Sequence, residues 1–289
     1  MPLPKLLIQL DVDEHPSSFD GVVAYDSGVD HLLRYASVTA DNVTSLVHGA
    51  MFTRGSDQLR NTAIFVGGSN VTAAEQLMKK VHECFFGPVR VSTMLDANGC
   101  NTTAAAAVVC AAREVKLDAA TAVVLGATGP VGQRVTRMLA REGAKVRATS
   151  RSIQRASEVC DSINASCLGC GSVEPDQVNG IDDARRVLRE ATIVVACGAA
   201  GTQLIDKQTL ANCDQLKVAI DLNAVPPAGI EGVEVTHQSA RVGEVVTYGA
   251  IGVGGLKMKT HRAAIKALFE SNEKVLDDQQ IYEIAKQLG

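Results

Sequence analysis

The chain predicts an α/β protein with mainly parallel sheets, on three observations. Short apolar runs of strand length alternate with stretches of helical periodicity along most of the sequence. Several of those runs stop at glycine or polar turns, as at Gly67-Gly68, Asp96-Ala-Asn-Gly and Gly126. Ala, Val and Gly are the most abundant residues, with Ile beside them in the strand-like runs; hydrophobic residues make up 46%, aromatics only 3%, and Trp is absent. That usage suits a buried parallel sheet under closely packed helices.

In order, residues 5–12 read as a buried strand, and 19–28 as a turn containing Phe19, Asp20, Tyr25 and Asp26. Residues 41–49 and 70–86 have helical periodicity, and 62–66 form a β run between them. Residues 89–95 are another strand, followed by the polar turn Asp96-Ala-Asn-Gly-Cys-Asn-Thr-Thr. Residues 104–115 form a small-residue helix expected to cross between domains. A second unit starts at Thr121, with strands at 121–126, 145–149, 192–197 and 217–222. Residues 158–180 receive no assignment. Gly249-Ala-Ile-Gly-Val-Gly-Gly-Leu is an apolar glycine-rich segment, and 260–272 and 278–288 are amphipathic helices. At 289 residues two domains are expected: 1–103 with 261–289, whose helices return to the first sheet, and 104–260.

The sharpest motif is Ala122-Val-Val-Leu-Gly126-Ala-Thr128-Gly129-Pro130-Val131-Gly132, with a helical segment after it. Strand, tight glycine turn and helix start are the parts of a Rossmann dinucleotide site. Glycines let the backbone approach a phosphate, and the helix N-terminus favours its charge. The spacing is G-x-x-G-x-x-G, so the evidence is its context. At the end of the next strand an NAD site carries an acid for the ribose 2′-hydroxyl. Here the chain has Ser150-Arg151-Ser152, with Arg155 one turn on. Hydroxyl and guanidinium groups suit a 2′-phosphate, so NADP is favoured over NAD. The plain alternative is a solvated helix start.

The charges are mixed and the net charge is −4, which speaks against nucleic acid or an anionic membrane as partner. No apolar run reaches transmembrane length and no signal-peptide pattern opens the chain. The eight Cys show no disulfide spacing and read as reduced thiols in the cytoplasm. Cys167-x-x-Cys170 lacks a second pair and the six His do not cluster, so no metal site is expected. His261 reads as a helix-surface residue. Tyr282-x-x-x-Lys286 matches the short-chain dehydrogenase pair, but a helix pattern in the last segment produces it easily.

Four segments are expected to converge beside the nicotinamide. Asp96, Asn98, Thr102 and Thr103 lie at a strand end, where ligands of open α/β sheets bind. Asp96 or Asn98 would equally serve as a helix cap. Asp221-Leu-Asn223-Ala-Val-Pro-Pro-Ala-Gly is a stiff loop that either faces the nicotinamide or only redirects the chain. Gly249 to Lys259 offers glycines for close approach, with Ala250 and Gly252 as candidate cofactor contacts beside Gly198. Lys257 would hold a substrate oxygen, although an exposed lysine is the commoner case. Asp20 completes the set, from the segment that reads as a turn.

Together these segments resemble a known family. Residues 62–68, 86–92, 95–106, 128–132, 223–230 and 254–262 are similar, in order, to the bacterial NAD(P)-dependent methylene-tetrahydromethanopterin dehydrogenases. The resemblance implies a smaller pterin-binding α/β domain, a Rossmann domain, C-terminal helices returning to the first, and a homo-oligomer (trimer or hexamer). It implies hydride transfer from the methylene bridge of a reduced pterin to NADP+, leaving a methenyl cation in one-carbon metabolism. That step releases no proton, which agrees with the lack of a His-based triad. Positioning and electrostatic stabilisation would then carry catalysis. Asp20 and Asp96 are implied as the electrostatic groups, and Thr102 and Thr103 as hydrogen-bonding partners of pterin or nicotinamide. Lys257 matches a lysine the family places near the pterin. Some relatives also accept methylene-tetrahydrofolate, and some use both nucleotides, as the 223–230 loop suggests. The rival readings are a methylene-tetrahydrofolate dehydrogenase and a non-catalytic NADP(H)-sensing Rossmann protein.

Overall fold

The computed structural model describes residues 3–166 and 171–289. In chain order the elements are β1 (Leu6–Asp11), α1 (Ser18–Asp26), β2 (His31–Tyr35), α2 (Thr44–Phe52), β3 (Thr62–Gly67), α3 (Val71–Glu83), β4 (Ser92–Leu95) and α4 (Cys100–Glu114). Then come β5 (Thr121–Leu125), α5 (Pro130–Arg141), β6 (Lys145–Ser150), α6 (Ile153–Ser166), β7 (Val173–Gln177), α7 (Ile181–Val187) and β8 (Ile193–Ala196). The chain closes with α8 (Lys207–Ala211), β9 (Val218–Asp221), β10 (Ala240–Val242), β11 (Val245–Tyr248), α9 (Ala250–Ala267), β12 (Val275–Leu276) and α10 (Asp278–Leu288). The elements fall into two compact units, residues 1–102 with 258–288 and residues 103–257 with 289.

The first unit carries a five-stranded sheet in the order β2-β1-β3-β4-β12, parallel throughout. The chain leaves β1 towards β2 on one side and continues through β3 on the other. The order therefore reverses between β1 and β3, and ligand sites of such sheets lie at the strand carboxyl ends there. β3 and β4 are buried along their whole length, β3 through the apolar run Ala63-Ile-Phe-Val66 and β4 with Ser92 and Thr93 inside beside Met94 and Leu95. Local chemistry sets the helix starts: the Ser17 hydroxyl accepts from Asp20 N and the Asn70 side-chain oxygen Oδ1 from Ala73 N.

The second unit carries seven strands in the order β7-β6-β5-β8-β9-β11-β10, parallel except for the final β11-β10 pair. Counting out from β5, this is the Rossmann order, with its reversal between β5 and β8. One face of the sheet packs Val123, Leu125, Val194, Ala219, Leu210 and Ile230 into one buried cluster. Removing a buried Leu or Ile of this kind costs about 2–5 kcal/mol.

Several local expectations are corrected. Residues 18–26 are a helix, because Ser17 caps it and Val23 and Ala24 bury against the sheet. β2 was not foreseen, since its side chains are largely exposed and give no apolar run. Within the unassigned 158–180 stretch, α6 continues to Ser166 and Val173–Gln177 forms β7. β7 carries Pro175 and three charged or amide side chains, so only its pairing to β6 makes it a strand.

Candidate functional site

β5 ends at Leu125 and the chain turns at Gly126 with φ +75°. A Cβ here would lie 2.9 Å from both the Cys197 carbonyl oxygen and Gly198 Cα, backbone that follows β8. Gly132, in the first turn of α5, sits closer still: its Cβ would stand 2.5 Å from Gly126 O and 2.8 Å from Ala127 Cα. Both positions admit only hydrogen. Gly129 precedes the helix with extended backbone, Pro130 opens it, and no side chain caps it among the described residues. Gly129 N donates to Gly126 O at 3.2 Å and Gln133 Nε2 to Thr128 O at 3.0 Å, which closes the loop on itself. A bare helix start over a backbone-walled glycine turn, at the sheet's reversal point, fits a dinucleotide pyrophosphate. Val131 is half-buried in that first turn.

The neighbouring strand end is polar without being acidic. Ser150 is buried, its Oγ 3.5 Å from Thr128 Oγ1 of the glycine loop. Ser152 N donates to Ser150 Oγ at 3.3 Å, and Arg155 N to Ser152 Oγ at 3.4 Å. Arg151 and Arg155 are exposed. Asp176, one strand away, is engaged: Arg186 donates to it at 2.9 and 3.1 Å, and Arg147 lies at 3.7 Å. The hydrogen-bonded Arg186 guanidinium holds the Asp176 carboxyl below the usual carboxylate range.

The structure treats the other expected cofactor residues differently. Asn223 is buried and ties its own loop, accepting from Val225 N at 3.0 Å and donating to Pro227 O at 3.1 Å. Asp221 accepts from Asn223 N and Ile230 N, and burial pushes its carboxyl up against those bonds. Gly198 is half-buried, and a Cβ there would press mainly on the flexible end of Leu204. Gly249 to Leu256 is not an open glycine loop. Ala250 and Gly252 belong to the first turn of α9, and a Cβ on Gly252 would collide with the His237 carbonyl. Close packing against residues 234–238 explains Gly249 and Gly252, whereas a Cβ on Gly254 or Gly255 would meet nothing within 4 Å.

In the first unit, polar groups gather at the carboxyl ends of β1, β3 and β4. Asp11 closes β1, fully buried, accepting from Asp13 N at 3.0 Å, Ser17 N at 3.1 Å and Gln9 Nε2 at 3.2 Å. Through Ser17 it anchors the start of α1 and hence Asp20. A Cβ on Gly67 would lie 3.4 Å from Asp11 Oδ2 and 3.6 Å from Asp20 Oδ2, so both carboxylates flank the end of β3. Asn98 is exposed, has a left-handed φ of 52°, and donates its backbone N–H to Gly68 O at 2.8 Å.

Asp96 and Thr102 occupy this corner from within. Asp96 is 1% exposed and accepts from Asn101 N at 2.9 Å, Thr102 N at 3.1 Å and Thr102 Oγ1 at 2.7 Å. Asp96 therefore caps α4, and the Thr102 hydroxyl, fully buried, points to Asp96. His261 is corrected from a surface position: it is 1% exposed, its ring stacks on Phe65 at 5.8 Å, and its Nδ1 lies 3.9 Å from Asp96 Oδ2. Lys257, one helical turn earlier, and Thr103 are half-buried. Sequence reasoning missed Asp11 and His261. Asp11 was visible as the acid that ends an apolar strand, whereas His261 carries no local sign of burial. Tyr282 packs in α10 at 3% exposure with Lys286 Nζ over its ring at 4.9 Å, while Cys167 and Cys170 lie outside the described residues.

Residues 18–98 match the family described as methylene-tetrahydromethanopterin dehydrogenase, N-terminal, and residues 109–242 match shikimate/quinate 5-dehydrogenase. The chain is 43% identical over 289 residues to the bifunctional protein MdtA of Methylorubrum extorquens, covering 99% of each. It is 29% identical to the NAD(P)-dependent methylenetetrahydromethanopterin dehydrogenase of the same organism, covering 96% of each. Among solved structures, shikimate 5-dehydrogenase from Listeria monocytogenes in complex with shikimate and NAD aligns with TM-score 0.57 at 14% identity, covering 97% and 96% of the two chains. Quinate dehydrogenase from Corynebacterium glutamicum in complex with NAD aligns at 0.55 and 15%, covering 97% and 98%. These two likenesses speak for the fold.

Proposed function

The chain belongs to the methylene-tetrahydromethanopterin dehydrogenase family, and we propose that it oxidises the methylene bridge of N5,N10-methylene-tetrahydromethanopterin with NADP+. The observation that carries this reading is the cradle around Gly126 and Gly132 beside the Ser150-Arg151 strand end, in a chain that resembles the family from end to end.

Bound NADP+ supplies the electrophilic nicotinamide carbon that takes up the hydride. Gly126, Thr128, Gly129, Pro130, Val131 and Gly132 hold the pyrophosphate with backbone, while Ser150, Arg151 and Arg155 select the 2′-phosphate. The pterin carbon between N5 and N10 loses hydride and becomes a methenyl carbon whose positive charge the two nitrogens share. No proton leaves, so no side chain acts as a general base. Asp20 faces that charge and stabilises it as it forms. Asp96 acts from behind: it fixes the start of α4, and with it Asn98 and Thr103, which orient the pterin. Lys257 holds a polar group of the pterin ring and so sets the methylene carbon in line for transfer. Asn223 keeps its loop in shape for the nicotinamide.

The active assembly is read as a homo-oligomer in the cytoplasm. The six cysteines among the described residues are free thiols, and no described helix is long and apolar enough to cross a membrane. Methylene-tetrahydrofolate, which carries the same reacting pterin, is the second substrate to examine. The test follows NADPH formation at its near-ultraviolet absorbance, with each methylene-pterin and each nucleotide in turn. Turnover of the methanopterin substrate with NADP+ is expected. Tight NADP+ binding without turnover of either pterin would overturn the reading in favour of a sensor.

A further inference from the structure

We propose that Gln177, at the end of β7, is a positioning residue for nucleotide choice: its side-chain amide holds the Arg151 carbonyl and so aims the groups that take the 2′-phosphate. The inference rests on the NADP+ reading above.

Gln177 stands opposite Ser150 in the β6-β7 register, and its Nε2 donates to Arg151 O at 2.9 Å. The next N–H along the chain, on Ser152, donates to Ser150 Oγ. The Arg151 carbonyl and the Ser152 N–H belong to one planar peptide unit, with the two groups on opposite sides. That peptide is therefore pinned from both ends, by Gln177 on one side and by Ser150 on the other. Its orientation sets where the Arg151 side chain departs and which way the Ser150 hydroxyl faces Thr128. Without Gln177 one anchor remains, and rotation of the peptide would turn Ser150 and Arg151 away together.

Gln177 is itself held. Val178 N donates to Ser150 O at 3.0 Å, Arg186 Nη2 donates to Gln177 O at 3.0 Å, and Gln177 N donates to Asp176 Oδ1 at 2.7 Å. Arg186 binds Asp176 through two nitrogens, so β7 ends in a small rigid clamp. This gives a purpose to a polar strand that contributes little to the core. It also keeps the Asp176 carboxylate engaged with arginine, one strand from the position where an anionic phosphate is to be bound.

The test is direct binding, by titration calorimetry of NADP+, NAD+ and adenosine 2′-monophosphate to the intact protein and its variants. Gln177→Leu is expected to weaken NADP+ roughly 3- to 10-fold, the effect of one lost hydrogen bond, with NAD+ unchanged. Gln177→Glu keeps the shape, removes the donor and adds repulsion, so a larger loss for NADP+ and for adenosine 2′-monophosphate is expected. Arg151→Ala is the control for the underlying reading, with an expected loss of roughly 10- to 100-fold for NADP+ alone. If Arg151→Ala shifts the nucleotide preference and the Gln177 variants do not, the role of Gln177 is overturned and the NADP+ reading stands. Equal losses for both nucleotides in the Gln177 variants overturn it too. If Arg151→Ala leaves the preference unchanged, both are overturned.

Discussion

The carboxyl ends of the two sheets follow the same layout and carry opposite chemistry. In the first unit the reversal between β1 and β3 collects carboxylates: Asp11 and Asp20 flank Gly67, and Asp96 sits at the end of β4. In the second, the reversal between β5 and β8 is walled by backbone, and the adjoining strand ends in Ser150, Arg151 and Ser152. One place suits a developing cation and the other a polyanion. A parallel sheet supplies only the location of a site, and the residues at the strand ends decide its sign.

The largest effect on ligand binding expected of a single change falls on the anion side. Gly132→Val puts a branched side chain into backbone that leaves room for hydrogen alone, at a cost of roughly 1–3 kcal/mol or more. Calorimetry is expected to show nucleotide binding lost, with pterin binding kept. Retained NADP+ affinity would mean that the cradle is not where the pyrophosphate lies.

On the acidic side, Asp96→Ala removes three hydrogen bonds and leaves the start of α4 uncapped. A loss of about 2–4 kcal/mol in urea unfolding is expected, together with falling turnover. A variant of unchanged stability would show that the cap is not what Asp96 contributes. Lys257→Ala sharpens the contrast, because it is expected to lower kcat roughly 10-fold or more while NADP+ affinity holds. Unchanged turnover would remove Lys257 from the pterin site.

The smallest effect concerns the clamp at the end of β7. Asp176 has a lowered pKa because Arg186 is hydrogen-bonded to it. The unfolded chain therefore binds more protons around and below the ordinary value of 3.8, and the contribution of the pair is present above it and fades as pH falls through the lower, folded value. Arg186 is half exposed, so at most about 1 kcal/mol is expected from Arg186→Gln at neutral pH. Urea unfolding of the two proteins is expected to converge in acid. A gap that widens in acid would contradict the assigned partner.

Much of the second unit was legible because its signals are local. The run from Ala122 to Gly132 encodes strand, turn and helix start within eleven residues, and Gly126 and Gly132 are each needed for a contact inside that segment or with the next strand end. The first unit was less legible. In the sequence Asp20 reads as part of a turn, because α1 is stabilised by Ser17 and by burial of Val23 and Ala24, which no periodicity announces. Asp96 was weighed both as ligand and as cap, and the three bonds it accepts show the cap. The segment from Gly249 to Gly255 shows no helix in its sequence, because its glycines hide the start of α9, where Gly249 and Gly252 pack against backbone at residues 234–238.

By itself the sequence determined the alternating α/β architecture, the glycine turn after β5 and the absence of an acid at the end of β6. These depend on residues near one another in the chain and on the small set of conformations open to them. Only the tertiary structure decided that His261 is buried on Phe65, that Asp11 anchors α1, and that Gln177 reaches Arg151 across 26 residues. Burial and long-range hydrogen bonds depend on which surfaces meet, and a single chain read in order does not contain that information.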